Sequence, residues 1–459
     1  MQWRFFTVIC CLAFGGCVMG PDYHRPDMHL PEYFSGAGTQ WHVARVTDRI
    51  DRGAWWLMFA DPELDRLEKL SLQQNTTLAI AVAQRDQAVA QLAAVRASLW
   101  PTLGFTAQQQ HNHSYFLAQA NHSVGFQASW EPDFWGLARR AIEQQGAAEQ
   151  SVEAQMASVR LSTTAQVAQT YFSLLQVHER TRLDQHAVDL SERLLELTRA
   201  QEQAGTVSHA AVLQVMAQLD NAKSQWQQDL WQGEQLVHAL AVECGQLATG
   251  FVLHLGQWPR LPDIPKGIPA DILLQRPDVA AAERSVAAAN AGIGLAEIAY
   301  FPTVTLAANI SWQSNKWGDW IRAPNRYWSL GPTLAETLFD GGKRAAQVRQ
   351  AKAAWRQSVA TYRGQVLTAV QEVEDDLSAI NGLAQQSART RVAVQTMLDN
   401  EHVTYNQVQA GTASDIDLLN GQLSVLSEQQ LDLAVQAQRY LNTVFLVQSL
   451  GGGWSTKGS

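Results

Sequence analysis

The chain has 459 residues and a formal net charge of −9, with no run of Lys and Arg to meet a phosphate backbone, which excludes a nucleic-acid partner. Charged residues make up only 17%, so Gln, Ser, Thr and Ala occupy helix faces that soluble proteins usually fill with Glu and Lys, a choice suited to faces lining water. Three of the four cysteines, Cys10, Cys11 and Cys17, fall in the first 17 residues and leave only Cys244, which excludes a disulfide framework and a cysteine-based metal site.

Met1 to Arg4 gives a basic start and Phe5 to Phe14 an apolar core, long enough for a signal peptide and too short to span a bilayer. Residues 1–16 are therefore expected to be removed. Ala13-Phe14-Gly15-Gly16-Cys17 resembles a bacterial lipobox, with Phe14 in place of the usual aliphatic residue. On that resemblance Cys17 is the acylated first residue, and more than one acyl chain, at about 0.8 kcal/mol per buried CH₂, makes a stable anchor. Val18 rather than Asp follows it, which by resemblance to enterobacterial lipoproteins directs the chain to the outer membrane. The alternative is an ordinary leader with an incidental Cys. Since no later stretch reaches 18 apolar residues, any crossing of a membrane is made by strands.

Residues 17–61 read as a lipidated, Pro-punctuated extended segment that ends in the aromatic knot Trp55-Trp56-Leu57-Met58-Phe59. Asp61-Pro62-Glu63 is a helix start, and the spacing predicts a helix from Pro62 to Leu99. Beyond Trp100-Pro101 the period becomes two. Leu103, Phe105 and Ala107 alternate with polar or small residues, as do Val124, Phe126, Ala128 and Trp130 after a polar loop that holds His111, His113 and His122. Two strands of about ten residues suit a tilted membrane span, with apolar faces on lipid, small polar faces on water and Trp100, Trp130, Phe134 and Trp135 as an interfacial girdle. A soluble hairpin packed on helices is the alternative. From Leu137 to Gln203 the helical period returns, with the heptad seams Leu161, Ala165, Ala168, Phe172, Leu175 and Leu183, Ala187, Leu190, Leu194, Leu197. The helix ends at Gln203-Ala204-Gly205-Thr206-Val207-Ser208, and a returning helix carries Val212, Val215, Leu219, Ala222 and Trp226.

That hexapeptide recurs 206 positions later as Gln409-Ala410-Gly411-Thr412-Ala413-Ser414, so the chain is internally duplicated and each copy marks a hairpin tip where Gly ends one helix and Ser caps the next. The second half restates the first. After a linker at 250–270, Pro277 opens a helix and Phe301-Pro302 precedes a strand pair bearing Val304, Leu306, Ala308, Ile310, Trp312, then Trp328, Leu330, Pro332 and Leu334. Pro332 should demote its strand to an edge or an irregular one. Val359, Tyr362, Val366, Val370, Val373, Leu377 and Ile380 lie on the seam of the second long helix. The expected division is a first repeat at 62–249 with strand pair 100–133 and tip 203–208, a second at 271–450 with strand pair 301–338 and tip 409–414, and a tail at 451–459.

With Cys17-Val18-Met19-Gly20-Pro21, Trp130-Glu131-Pro132-Asp133-Phe134-Trp135-Gly136, Arg276-Pro277-Asp278-Val279, Leu338-Phe339-Asp340-Gly341-Gly342 and both tips in order, the chain resembles an outer-membrane efflux factor of the TolC family. More narrowly it is similar to the lipoprotein (NodT/OprM-like) branch that serves resistance-nodulation-division pumps. The resemblance implies a mixed α and β fold, with long coiled-coil hairpins forming a helical barrel and four strands per chain entering a trimeric transmembrane β-barrel. It implies a homotrimer in outer-membrane lipid, partnered by a periplasmic membrane-fusion adaptor and an inner-membrane pump. It places adaptor docking on Gly205, Thr206, Ser208, Gly411, Thr412 and Ser414. The family closes its periplasmic mouth with an Asp ring and an Arg, whose positions here hold Asn420 and Leu423, while Ile416 keeps an apolar constriction and Asp415 and Asp417 stand near enough to supply acid.

No Gly-x-Ser-x-Gly, phosphate loop or His-Glu-x-x-His occurs, and Glu131 and Asp133 find no second-half acid to pair with, so neither an enzyme nor a cofactor is expected. His111, His113 and His122 read as decoration of a loop rather than as metal ligands. The competing function is an outer-membrane-anchored periplasmic coiled-coil scaffold lipoprotein without channel activity.

Overall fold

Asp61 does at the start of the first helix what the sequence asks of it. It accepts from the amides of Glu63 and Leu64 at 2.9 and 3.1 Å, ahead of Pro62 in the first turn, and its other oxygen accepts from Tyr171 Oη at 2.7 Å. In the computed structural model, residues 18–28, 54–114, 117–263, 270–316, 318–319 and 321–452 are described, without the side chains of 112–119 and 270–272. The lipidation call at Cys17 and the leader lie outside these residues.

The helix expected from Pro62 to Leu99 is two helices, α1 (Pro62–Gln74) and α2 (Thr76–Ala97). Asn75 breaks it. Its backbone is extended at φ −63° and ψ 126°, its Oδ1 accepts from Leu78 N at 3.0 Å, and its Nδ2 donates to Glu243 O at 2.8 Å. One Asn thus ends α1, caps α2 and ties the junction to a distant helix end.

The remaining elements are β1 (Thr102–Ser114), β2 (Leu117–Trp130), α3 (Leu137–Gln203), α4 (His209–Glu243), α5 (Pro277–Ile298), β3 (Thr303–Ser314), β4 (Arg326–Ala335), α6 (Lys343–Gln409) and α7 (Asp415–Ser449), with short 3₁₀ turns at Trp55–Phe59, Ala270–Gln275 and Ala323–Asn325. α3 and α6 each have 67 residues, on the order of 100 Å. The strands form one antiparallel sheet in the order β1-β2-β3-β4.

The chain divides into two compact units. The first comprises, among the described residues, those of 18–28, 83–154 and 280–365, and contains the sheet. Within it the described segment 18–28 is pinned by Arg140, which donates to Met19 O at 2.9 Å, Gly20 O at 3.0 Å and Asp22 Oδ1 at 3.1 Å, and by Asn290, whose amide reaches Pro21 O at 2.9 Å. Gly20 sits at φ +94°, and a Cβ there would lie 2.4 Å from Gly294 Cα on α5, so only glycine lets the segment lie this close.

The second unit comprises, among the described residues, those of 54–82, 155–279 and 366–452. The aromatic knot packs here on the long helices. Phe59 lies 4.9 Å from Phe172 between ring centroids, Phe172 lies 5.0 Å from Tyr440, and Trp55 Nε1 donates to Thr164 Oγ1 at 3.0 Å, so each large ring adds buried area and the buried N–H keeps a partner. The first heptad seam is buried at Ala165, Ala168, Phe172 and Leu175. The second is displaced by one residue. The buried stripe runs through Asp184, Val188, Ser191, Leu195 and Thr198, while of the expected set only Leu194 is buried. Thr198 satisfies itself on Leu194 O at 2.7 Å, which lets a polar residue occupy a packed position.

Candidate functional site

The sheet assembles the first candidate site from four segments far apart in sequence. Its register sets Phe105 opposite Phe126, Phe126 opposite Ile310, and Ile310 opposite Trp328. The neighbouring row joins Leu103, Ala128, Ala308 and Leu330 in the same way, and Val124 faces Ala107 and Trp312. Because side chains alternate across a strand, these pairs place the alternating apolar residues on one face. Leu103, Phe105, Trp328 and Leu330 are 61–75% exposed, so this face stands open on the chain. The opposite face carries Gly104, Gln127 and Asn309 in one row and Gln108, Ser123 and Gln313 in another. Between Thr102 and Trp130 there is no Asp, Glu, Lys or Arg.

The expected polar loop between the first two strands is strand. Backbone pairing continues from Thr102↔Ser129 to Ser114↔Leu117, so His111, His113 and His122 belong to the ladder, not to a loop. His111 and His122 stand on adjacent strands with ring centroids 6.4 Å apart. Ladder hydrogen bonds satisfy the backbone whatever the side chain, which is why Gln, His and Asn extend strands that composition alone would end. Pro332 pairs with Leu306 in β4, the outermost strand of the chain's sheet, and the ladder with β3 runs past it from Thr303↔Ala335 to Trp312↔Arg326.

The two hairpin tips form the second candidate site. Gly205 and Gly411 share φ +73°. Each ends its helix in a Schellman arrangement: Gly205 N donates to Glu202 O at 2.8 Å and Thr206 N to Gln201 O at 2.9 Å, while Gly411 N donates to Val408 O at 3.0 Å and Thr412 N to Gln407 O at 2.9 Å. Thr206 and Thr412 add their hydroxyls to the same carbonyls at 2.9 and 3.1 Å. Gly205, Thr206, Ser208, Gly411, Thr412 and Ser414 are all exposed.

The tips differ in their caps. Ser414 accepts from Asp417 N at 3.2 Å and donates to Asp417 Oδ2 at 2.7 Å, and Asp417 Oδ2 accepts from Ser414 N at 3.0 Å, a complete capping box. These bonds hold the Asp417 carboxyl below its ordinary range. Ser208 has extended backbone but no side-chain cap bond, contrary to the expectation of a capping Ser at both tips. Its third helical residue is Ala211, which offers no carboxylate to complete the box. Ser414→Ala is expected to cost about 1 kcal/mol and Ser208→Ala near zero, read as faster amide exchange at one tip and not the other. Of the remaining mouth residues, Asp415 and Asn420 are exposed and Ile416 and Leu423 are half-buried.

Two buried acid groups in the second unit escaped the sequence reading. Glu68 is fully buried with neither carboxylate oxygen meeting a donor, and burial pushes it well above the usual carboxylate range. Burial likewise pushes Glu243 up to about 7, although Thr170 donates to it at 2.8 Å. The signal was the spacing of Glu68 with Leu64 and Ser71 on one face of α1. The other pair, Asp184 and Asp229, is taken up below.

The model of the family described as "Outer membrane efflux protein" matches residues 67–242 and 268–452, one stretch for each repeat. The pyoverdine export outer membrane protein OpmQ of Pseudomonas aeruginosa is 28% identical over 98% of this chain and 96% of its own. The probable outer membrane lipoprotein SilC of Salmonella typhimurium is 26% identical over 98% and 99%. The solved outer-membrane channel OprN superposes with a TM-score of 0.84 at 25% identity, covering 95% of this chain and all of that one. With an open apolar sheet face, duplicated long hairpins and both repeats matched, the chain belongs to the outer membrane efflux protein family: it is an outer-membrane channel component of an efflux system, not an enzyme.

Proposed function

We propose that three copies join edge to edge, β1 of one chain to β4 of the next, into one barrel of about twelve strands in the outer membrane. Four strands of one chain leave two open edges, and an unpaired edge cannot face lipid, so association is required for the sheet to cross a bilayer. In this assembly the face bearing Leu103, Phe105, Phe126, Ile310 and Trp328 meets lipid and the face bearing Gly104, Gln127 and Asn309 lines water. The hairpins carry the aqueous passage through the periplasm, with acyl chains on Cys17 as a second anchor. A membrane-fusion adaptor docks at Gly205, Thr206, Ser208, Gly411, Thr412 and Ser414, an inner-membrane pump supplies the energy, and the duct conducts passively. Its inner mouth is gated by Asp415, Ile416, Asp417 and Asn420. With Asn420 replacing the family's acid, Asp415 and Asp417 carry the negative ring, Asp417 held ionised by its capping box.

The observation that carries this reading is the register: in the rows of Leu103 and Phe105 one face of the sheet is apolar across all four strands, while the adjacent rows of the other face, at Thr102 and Gly104, are small or polar. Purified protein added to planar bilayers is expected to give discrete ion-conducting steps. Protein that inserts and never conducts supports the scaffold instead.

A further inference from the structure

Asp184 of α3 is only 4% exposed, and its two carboxylate oxygens have different surroundings. Gln430 of α7 donates its amide to Oδ1 at 2.5 Å, whereas Oδ2 is buried and meets no donor. Near it is the fully buried carboxylate of Asp229 on α4, which acts on Asp184 electrostatically. Asp229 is already supplied with donors. Arg180 forks onto both of its oxygens, with Nη2 2.6 Å from Oδ1 and Nε on Oδ2, and Gln225 adds its amide to Oδ1 at 3.2 Å. Arg180 also donates to Gln232 at 2.9 Å.

One guanidinium, itself partly exposed, therefore faces two carboxylates that are shielded from water. Two carboxylates in contact cannot both ionise without strong repulsion. A metal cation is a poor solution, because Gln430 and Gln225 present amide N–H groups to this pair where a cation needs oxygen. A proton fits: it turns the donorless Oδ2 of Asp184 into a donor toward Asp229.

We propose that Asp184 and Asp229 share a single proton, and that α7, tied to Asp184 through Gln430, keeps the pair from water, so that a state in which α7 lifts away admits water, lets the proton leave and is favoured as pH rises. The proposal deepens the channel reading above, because α7 begins at the gated tip and carries Ile416 and Asn420. The charged groups acting on Asp184 are Asp229 from α4 and Arg180 from its own helix, and α7 presents the uncharged Gln430. Burial, then the Asp229 carboxylate, push Asp184 up to about 7, with Arg180 pulling the other way. The sign follows. A loosened state exposes Asp184 and lets it ionise near the ordinary value of about 4, so the fastening is strongest in acid, weakens as pH rises toward 7 and changes little above.

Hydrogen exchange over residues 425–435 in the full-length protein, corrected for the intrinsic pH dependence of amide exchange, tests this. Between pH 5 and pH 7 the opening constant is expected to rise at least about tenfold in the natural chain. In Asp184→Asn, which is isosteric and always neutral, it should stay at its pH 5 value. Glu243 and Asp376, held at about 7 and about 6, weaken the fold in the same direction, and the difference between the two proteins removes their share. Gln430→Leu keeps the carboxylates and severs the tie, so its segment should open at pH 5 as readily as the natural chain does at pH 7. An equal rise in Asp184→Asn, or full protection in Gln430→Leu, overturns the proposal. Absence of conductance in bilayers with this exchange pattern intact would count against the channel and leave the shared proton standing.

Discussion

Phe126→Arg is expected to abolish assembly in the outer membrane, while Gln127→Arg, one residue along the same strand, is expected to leave it intact. Phe126 sits in the middle row of the apolar face, opposite both Phe105 and Ile310. Its ring lies 5.2 Å from that of Phe105. A guanidinium placed on lipid near the bilayer midplane costs about 2–4 kcal/mol per copy, and three copies multiply that in one barrel. Gln127 points to the other face with Gly104 and Asn309, where the proposed barrel is wet and a charge keeps its hydration. Membrane fractions resolved without heating would show the trimer lost in the first variant and kept in the second. Equal trimer yields would mean that the apolar face does not meet lipid. A Phe126→Leu control, apolar and smaller, should assemble.

The second large effect is expected at the tips, where Gly205→Trp with Gly411→Trp should remove adaptor capture while sparing the trimer. Both glycines hold φ +73°, so a side chain there costs about 1–2 kcal/mol of left-handed strain at each site. An added Cβ meets nothing within 4 Å at either position, so the indole extends outward and the hairpins stay closed. The Schellman bonds to Gln201, Glu202, Gln407 and Val408 involve only backbone and survive the change. Affinity capture of the adaptor from detergent should fall by more than tenfold, with trimer migration unchanged. Undiminished capture would remove the tips from the docking surface.

The duplication was legible because glycine at a left-handed position is hard to replace, so a turn motif repeated 206 residues apart stands out in the sequence. The apolar face was legible for a similar reason: Leu103, Phe105, Phe126, Ile310 and Leu330 must alternate with polar or small residues if the two sides of the sheet are to differ. What escaped the sequence depends on partners far along the chain. Asn75 sits in an unbroken helical pattern, and the reason it breaks the helix is the Glu243 carbonyl 168 residues away. The second seam of α3 shifted because the polar Asp184, Ser191 and Thr198, which an apolar heptad leaves out, fill the buried stripe, whereas Leu183, Ala187, Leu190 and Leu197 remain half-buried. The strands outran their apolar cores at His111 and His122 because the ladder is held by backbone bonds that side-chain composition does not report.

The most direct test of threefold closure is single-particle electron microscopy of the full-length protein in a lipid nanodisc. The account predicts three subunits around one axis, with β1 of each chain hydrogen-bonded to β4 of the next and the row Phe105, Phe126, Ile310, Trp328 against the lipid. A single subunit, or a sheet whose apolar face is packed against protein away from the bilayer, would contradict it.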